Sequence, residues 1–375
     1  MKPRPGSLPA HTAARLTRIA MSVLAATLAW TVLHAGEPKP PLSNRQDRYN
    51  LLSYRDPQGN DRPVLRWADW EKRRSQILEA VTEVMGPMPG AEKRCPLDVQ
   101  VTEEVDCGSY VRRFLTYASE PGSRVPAYLL IPKNALGRHH TAFGVLCLHQ
   151  THREGQKVVV GLGNSPDDEY GVELVERGFV CLAPAYPLLA DYAPDWHALG
   201  YQSASMKAIW DNRRGLDLLE SLPFVKRGRF ATIGHSLGGH NSVFTALFDS
   251  RLQVVVSSCG LDSFLDYMGG DFKGWTGDRY MPNLARYTTR TIPFDFHELI
   301  GALAPRRCLI SAPYGDSNFR WESVDRVAGA ARQIYGLAGK PGNLLIRHPD
   351  VAHQFPKTSR EEAYRWIEAG LGRSR

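Results

Sequence analysis

The residues best suited to chemistry begin with Ser236, at the centre of ATIGHSLGGH, residues 231–240, in G-x-S-x-G spacing at the end of an apolar run. In a strand-to-helix turn this spacing pushes the serine side chain out at the sheet's edge. The flanking glycines permit a tight backbone there and remove side chains that would collide with the strand or the helix. The surroundings fit, since Phe230 to Ile233 reads as a strand and Leu237 to Phe248 as a helix. A serine hydroxyl attacks poorly at neutral pH, so the turn implies a base to take its proton and a third group to fix that base's tautomer.

In a fold that carries such a serine turn, the acid and the histidine follow the serine in chain order. The downstream histidines are His240, His297, His348 and His353. His240 sits on the helix leaving the turn and reads as packing or capping. His348 and His353 share RHPDVAHQFP, beyond the last apolar strand. His353 is the better base, because it lies in the loop past that strand and ahead of a terminal helix. For the acid, Asp316 in SAPYGDSNF lies just past the strand RCLIS. Asp262, just past VVVSSCG, is the alternative, and Asp350 precedes His353 too closely to orient its ring. Acyl transfer also builds negative charge on an oxygen that fixed N–H groups must meet. The backbone of Leu237 at the helix start should supply one. Gln150 or Thr151, in the loop LHQTHREG after the first long buried strand, should supply the other. His149 and His152 read as shaping that loop through hydrogen bonds. No C-x-x-C or H-E-x-x-H spacing occurs, so neither a metal site nor a cofactor is indicated.

Parallel strands with helical crossovers would bring these residues together. After residue 140, short apolar runs (AFGVLCLH, GFVCLAPAY, RFATIGH, LQVVVSSCG, RCLISAPYGD, NLLIRHPD) alternate with segments of helical period. Runs apolar on successive residues suit strands covered on both faces. In the helix SASMKAIWDNRRGLDLLESLP, residues Met206, Ile209, Trp210, Leu216 and Leu219 form one apolar stripe. Before residue 140, VQVTEEV, YVRRFLTYAS and VPAYLLIP read as an antiparallel start to the sheet. Residues 36–94 read as a lead-in with a helix from Leu65 to Val84, and residues 95–375 as the domain carrying the candidate site. Residues 261–306 break the strand–helix alternation at a length too great for a plain connection, and are expected as a lid or wall over the carboxyl edge. Trp275 and Tyr280, within it, and Trp321, beyond it, could stack on sugar rings.

The 375 residues are 43% hydrophobic and 23% charged, which argues against disorder and fibrous repeats. Residues 1–35 place Lys2, Arg4, Arg15 and Arg18 before the apolar run IAMSVLAATLAWTVL, the layout of a secretory signal, with an uncleaved anchor as the alternative. Removing those four cations takes the formal charge from +7 to 7 − 4 = +3, too little for a nucleic-acid binder. A periplasmic or extracellular location follows, with no stable membrane insertion after cleavage. Of six cysteines, Cys147, Cys181 and Cys308 fall inside strand-like runs, and Cys95 with Cys107 form the candidate bridge.

With LCLHQT, GHSLGGHNSVFTALFD, VVVSSCG, SAPYGDSNF and HQFP in one order, the chain resembles the α/β-hydrolases. More narrowly it resembles the bacterial group described as acetylxylan-esterase-like or dienelactone-hydrolase-like, over about residues 95–372. The resemblance implies an α/β-hydrolase fold: a mostly parallel central sheet flanked by helices, an antiparallel N-terminal edge, and an insertion after the sixth strand. It implies a serine hydrolase with the triad Ser236, Asp316 and His353, acting on a small-molecule or oligosaccharide ester, with deacetylation of a polysaccharide as the expected task. Dienelactone hydrolases carry a cysteine where Ser236 stands, and the loop reads HQT where H-G-x is frequent, so Gln150 and Thr151 both stay open. A prolyl-oligopeptidase-type peptidase shares the turn and the residue order. That type usually carries a propeller domain, for which the roughly 60 residues between the expected signal and the sheet are too few. A binding protein on a hydrolase scaffold is a third reading.

Overall fold

A computed structural model describes residues 46–163 and 165–372. The expected signal segment, residues 1–35, lies outside the described residues. A small hairpin, β1 (Ser53–Arg55) and β2 (Asp61–Pro63), precedes helix α1 (Trp67–Met85). Strands β3 (Gln100–Asp106), β4 (Tyr110–Glu120) and β5 (Ser123–Pro132) come next, followed by β6 (Ala142–Leu148), α2 (Tyr170–Glu176) and β7 (Val180–Pro184). Helix α3 (Ala204–Ser221), β8 (Val225–His235), α4 (Leu237–Phe248) and β9 (Leu252–Ser258) continue the alternation. After the inserted segment come α5 (Phe296–Gly301), β10 (Arg307–Ser311), α6 (Trp321–Leu337), β11 (Leu344–Arg347) and α7 (Lys357–Leu371). Residues 46–94, the described part of the lead-in, belong to the same compact unit as the sheet.

Among the described residues, nine strands form one sheet in the order β11-β10-β9-β8-β6-β7-β5-β4-β3. The pairings from β11 through to β7 are parallel, and those joining β7, β5, β4 and β3 are antiparallel. The apolar runs explain the division. Along β6, Val145 and Cys147 enter the core under α2 and α7, while Leu146 and Leu148 enter the larger core under the other helices. A strand covered on both faces needs apolar residues in both registers. At the far edge β3 is exposed along almost its whole length, and Glu103, Glu104 and Asp106 put charges on an edge that would otherwise invite pairing. In α3 the expected stripe is buried, and Ser203 caps the helix by accepting the Met206 N–H at 3.0 Å. The six cysteines are all free, so the expected bridge between Cys95 and Cys107 is not formed.

The inserted segment leaves after β9, the seventh strand of the sheet, one later than expected. It consists of three short 3₁₀ turns, at 267–270, 272–275 and 282–286, followed by α5. Asp295 anchors it. This carboxylate caps α5 by accepting the Phe296 N–H at 2.7 Å, and also accepts the Ser263 hydroxyl at 2.7 Å and the Phe264 N–H at 3.1 Å. Arg48 of the lead-in pairs with the same carboxylate and donates to the Thr289 carbonyl at 2.9 Å. The lead-in therefore fastens the insertion to the body through a buried ion pair. Replacing Arg48 with Met strands the buried Asp295 carboxylate and should cost about 3–5 kcal/mol in urea unfolding. Arg66→Met, at the exposed start of α1, is the comparison and should change little.

Candidate active site

Ser236 links β8 to α4 with φ 53° and ψ −118°, a backbone that a non-glycine residue adopts only when its surroundings impose it. Two glycines make this possible. A Cβ on Gly238 would stand 1.9 Å from the Leu148 carbonyl oxygen, and one on Gly234 would stand 2.2 Å from the Gly238 carbonyl oxygen. The start of α4 therefore lies directly against the end of β6. The Ser236 N–H donates to the Ser258 carbonyl at 2.8 Å, tying the turn to β9.

His353 lies beyond β11 and Asp316 beyond β10. Backbone hydrogen bonds join the two loops, from Tyr314 to Pro349 at 3.1 Å and from Gly315 to Val351 at 3.0 Å. The His353 Nδ1–H donates to the Asp316 carboxylate, 2.9 Å from Oδ1 and 3.0 Å from Oδ2. Burial works to raise the Asp316 pKa, but the hydrogen bond and charge of His353, with N–H donation from Asn318 and Phe319, outweigh it and hold the carboxyl below its ordinary value. Ser236 and His353 line one cavity of about 510 Å³, together with Gln150, Thr151 and Leu237. The alternatives lie elsewhere. Asp262 accepts the Arg320 N–H at 3.1 Å, and burial pushes its carboxyl up to about 8. His348 is engaged by the Ala312 carbonyl and by Asp325.

The loop after β6 takes its shape from His149. This buried ring donates from Nδ1 to the Gln150 carbonyl at 2.7 Å and accepts the Tyr186 N–H on Nε2 at 3.0 Å, so a single neutral tautomer satisfies both bonds. Burial lowers its pKa to about 4, which keeps that tautomer in place. Because the Gln150 carbonyl faces the ring, the trans peptide directs the Thr151 N–H the opposite way. His152 accepts the Glu154 N–H at 3.1 Å, also within the loop.

The insertion forms a wall of the cavity through Tyr267, Gly274, Trp275 and Tyr280. Trp275 is 3% exposed and packs on His240, with ring centroids 4.6 Å apart, whereas Tyr280 is half-buried. Trp321 is not brought to the cavity; it packs against Tyr314 and His348 at the start of α6. His240, read from sequence as packing or capping, packs and also lines the cavity. Sequence reasoning missed His235, Asn318, Phe319 and Asp168. His235 and Phe319 flank motif residues, but only the folded chain turns their side chains to one space. Among the described residues the lining holds Asp168 and Asp167, the latter paired with Arg360 at 2.9 Å, and neither lysine nor arginine. Burial lowers His235 and His240 to about 3, leaving both uncharged at neutral pH.

Residues 168–369, more than half of the chain, match the family model described as the prolyl oligopeptidase family. A Bacillus subtilis protein named "Putative hydrolase YtaP" is 23% identical over 312 residues, covering 80% of this chain and 99% of that one. Among solved structures, a glucuronoyl esterase from Solibacter usitatus superposes with a TM-score of 0.69 at 18% identity, over 90% of this chain and 100% of that chain. Acetyl xylan esterase 1 from Thermoanaerobacterium superposes with a TM-score of 0.52 at 16% identity, over 78% of this chain and 92% of that chain. The mostly parallel sheet with its antiparallel edge is the α/β-hydrolase fold that the resemblance implied.

Two outcomes follow from the geometry. Gly238→Ala should destabilise the fold by about 3 kcal/mol or more, read as a fall in thermal midpoint, because its Cβ meets backbone. With His235 and His240 uncharged, the acid limb of any rate profile against pH should fit a single protonation.

Proposed function

The chain belongs to the prolyl oligopeptidase family, and on that footing we propose that it is a serine hydrolase that cleaves carboxylic esters through an acyl-enzyme, with acetylated carbohydrate outside the cytoplasm as its substrate. One observation carries the reading: a serine in a strained turn shares a cavity with an imidazole whose far nitrogen is held by a buried carboxylate.

In the proposed mechanism His353 Nε2 takes the Ser236 proton as Oγ attacks the ester carbonyl. Asp316 keeps the Nδ1 proton in place and stabilises the imidazolium that forms. The oxygen that gains charge meets the N–H of Leu237, the first residue of α4, whose position leaves it without an intrahelical acceptor. The second donor is the N–H of Gln150 or Thr151, and the outward direction imposed by His149 favours Thr151. His353 then returns the proton to the leaving alcohol. Water, deprotonated by the same ring, releases the acid and restores the serine.

Support for a carbohydrate ester comes from half-buried Tyr280, which lines the cavity together with Tyr267 and Phe319, and from a described lining without fixed cations, which suits an uncharged sugar. The two esterases of the same fold act, by their names, on carbohydrate esters. The leader expected in residues 1–35 supports export. Family membership also favours a second reading, a peptidase, which the same serine, imidazole and carboxylate could serve.

Acetate release from acetylated xylan and hydrolysis of p-nitrophenyl acetate should both be detectable. Both should fall by about 10⁴-fold or more in Ser236→Ala, and Asp316→Asn should lower kcat by about 10⁴-fold. Retained activity in Ser236→Ala would remove the mechanism. Faster turnover of peptides with proline at P1 than of acetyl esters would replace the ester reading with the peptidase one.

A further inference from the structure

Three side chains of three ligand types meet at the carboxyl edge of neighbouring parallel strands. Cys259 follows β9, Asp316 follows β10 and His353 follows β11. The cysteine sulfur, a carboxylate oxygen and a ring nitrogen all lie within 4.8 Å of one another. The Gln354 carbonyl oxygen is a further 3.4 Å from the sulfur. Cys259 has φ 48°, in the left-handed region, and its N–H donates to the Ser311 carbonyl at 2.8 Å, so the backbone fixes the direction of Cβ and leaves the sulfur its side-chain rotation. The ester mechanism uses Asp316 and His353 and has no task for the thiol.

We propose that Cys259, Asp316 and His353 form an inhibitory site for a thiophilic divalent cation of the zinc class. The proposal rests on the assignment of His353 as the base. Zinc takes thiolate at about 2.3 Å, imidazole nitrogen at about 2.0–2.1 Å and carboxylate oxygen at about 2.0–2.2 Å. Donor atoms around one ion therefore lie roughly 3–4 Å apart. The contact between His353 and Asp316 already falls near that spacing, and the sulfur closes the remainder by a small side-chain movement.

The protons balance simply. Burial and the neighbouring Asp316 charge hold the thiol protonated until an ion takes the proton's place. The thiol gives that proton to solvent on binding the ion. The imidazole gives up its Nδ1 proton and gains one at Nε2, so it stays neutral in the opposite tautomer. One proton is released per ion, and nothing is oxidised or reduced. Nε2 then carries hydrogen and cannot accept the serine proton. Inhibition arises behind the substrate cavity, so kcat falls while KM holds.

The test uses the full chain. With p-nitrophenyl acetate, added Zn²⁺ should lower kcat, and a chelator should restore it. With each variant normalised to its own metal-free rate, Cys259→Ser and Cys259→Ala should need at least about tenfold more zinc for half inhibition. Cobalt(II) gives a readout independent of activity. In protein whose Cys95 and Cys107 are replaced by Ser, it should produce a thiolate-to-cobalt absorption band, which adding Cys259→Ala removes. The same band should appear in Ser236→Ala, so failure of the ester reading and failure of the cation site are separable. Absence of the band with Cys259 intact, or equal zinc sensitivity with and without the thiol, would overturn the proposal.

Discussion

The arrangement depends on a backbone approach that only glycine permits. The start of α4 lies so close to the end of β6 that a single methyl group at Gly238 would overlap the Leu148 carbonyl oxygen. This contact sets the Leu237 N–H beside the loop carrying Gln150 and Thr151, and it holds Ser236 in a backbone conformation it would otherwise avoid. The sheet order is what makes the approach possible. Strands β6 and β8 are neighbours, so the loop leaving one and the helix leaving the other emerge side by side.

Charge is placed with equal economy. Around the serine, His149, His235 and His240 are buried and held uncharged, each by loss of solvation. His353, by contrast, has the Asp316 carboxylate hydrogen-bonded to its ring. A buried imidazole held uncharged serves as a fixed hydrogen-bonding strut. His149 is such a strut: its two hydrogen bonds orient one peptide of the loop and use both ring nitrogens.

The cavity wall comes from a different layer of the design. The insertion has little regular structure, and its position rests on an aromatic cluster around Phe264, Trp275 and Phe296 and on the ion pair between Arg48 and Asp295. The lead-in, which looks irregular in sequence, thereby helps to hold the wall. Trp275 illustrates how a residue can line a cavity and still belong mainly to the core, since nearly all of its surface is packed against neighbours.

The strand–helix alternation could be read directly along the chain, because burial on both faces leaves an unbroken apolar run that is a local signal. So could the turn at Ser236, because glycine spacing is a local steric signature. The partnership of Asp316 with His353, and its separation from Asp262 and His348, was legible only as a preference, since chain order says which loops are adjacent but not which side chains meet. Folding in three dimensions settled that Trp321 faces Tyr314 and His348 and not the cavity, that Cys95 and Cys107 stay apart as free thiols, and that Cys259 stands beside the proposed acid and base. Those outcomes depend on how loops from separate strands pack together, and contacts between residues far apart in the chain leave no periodic trace along it.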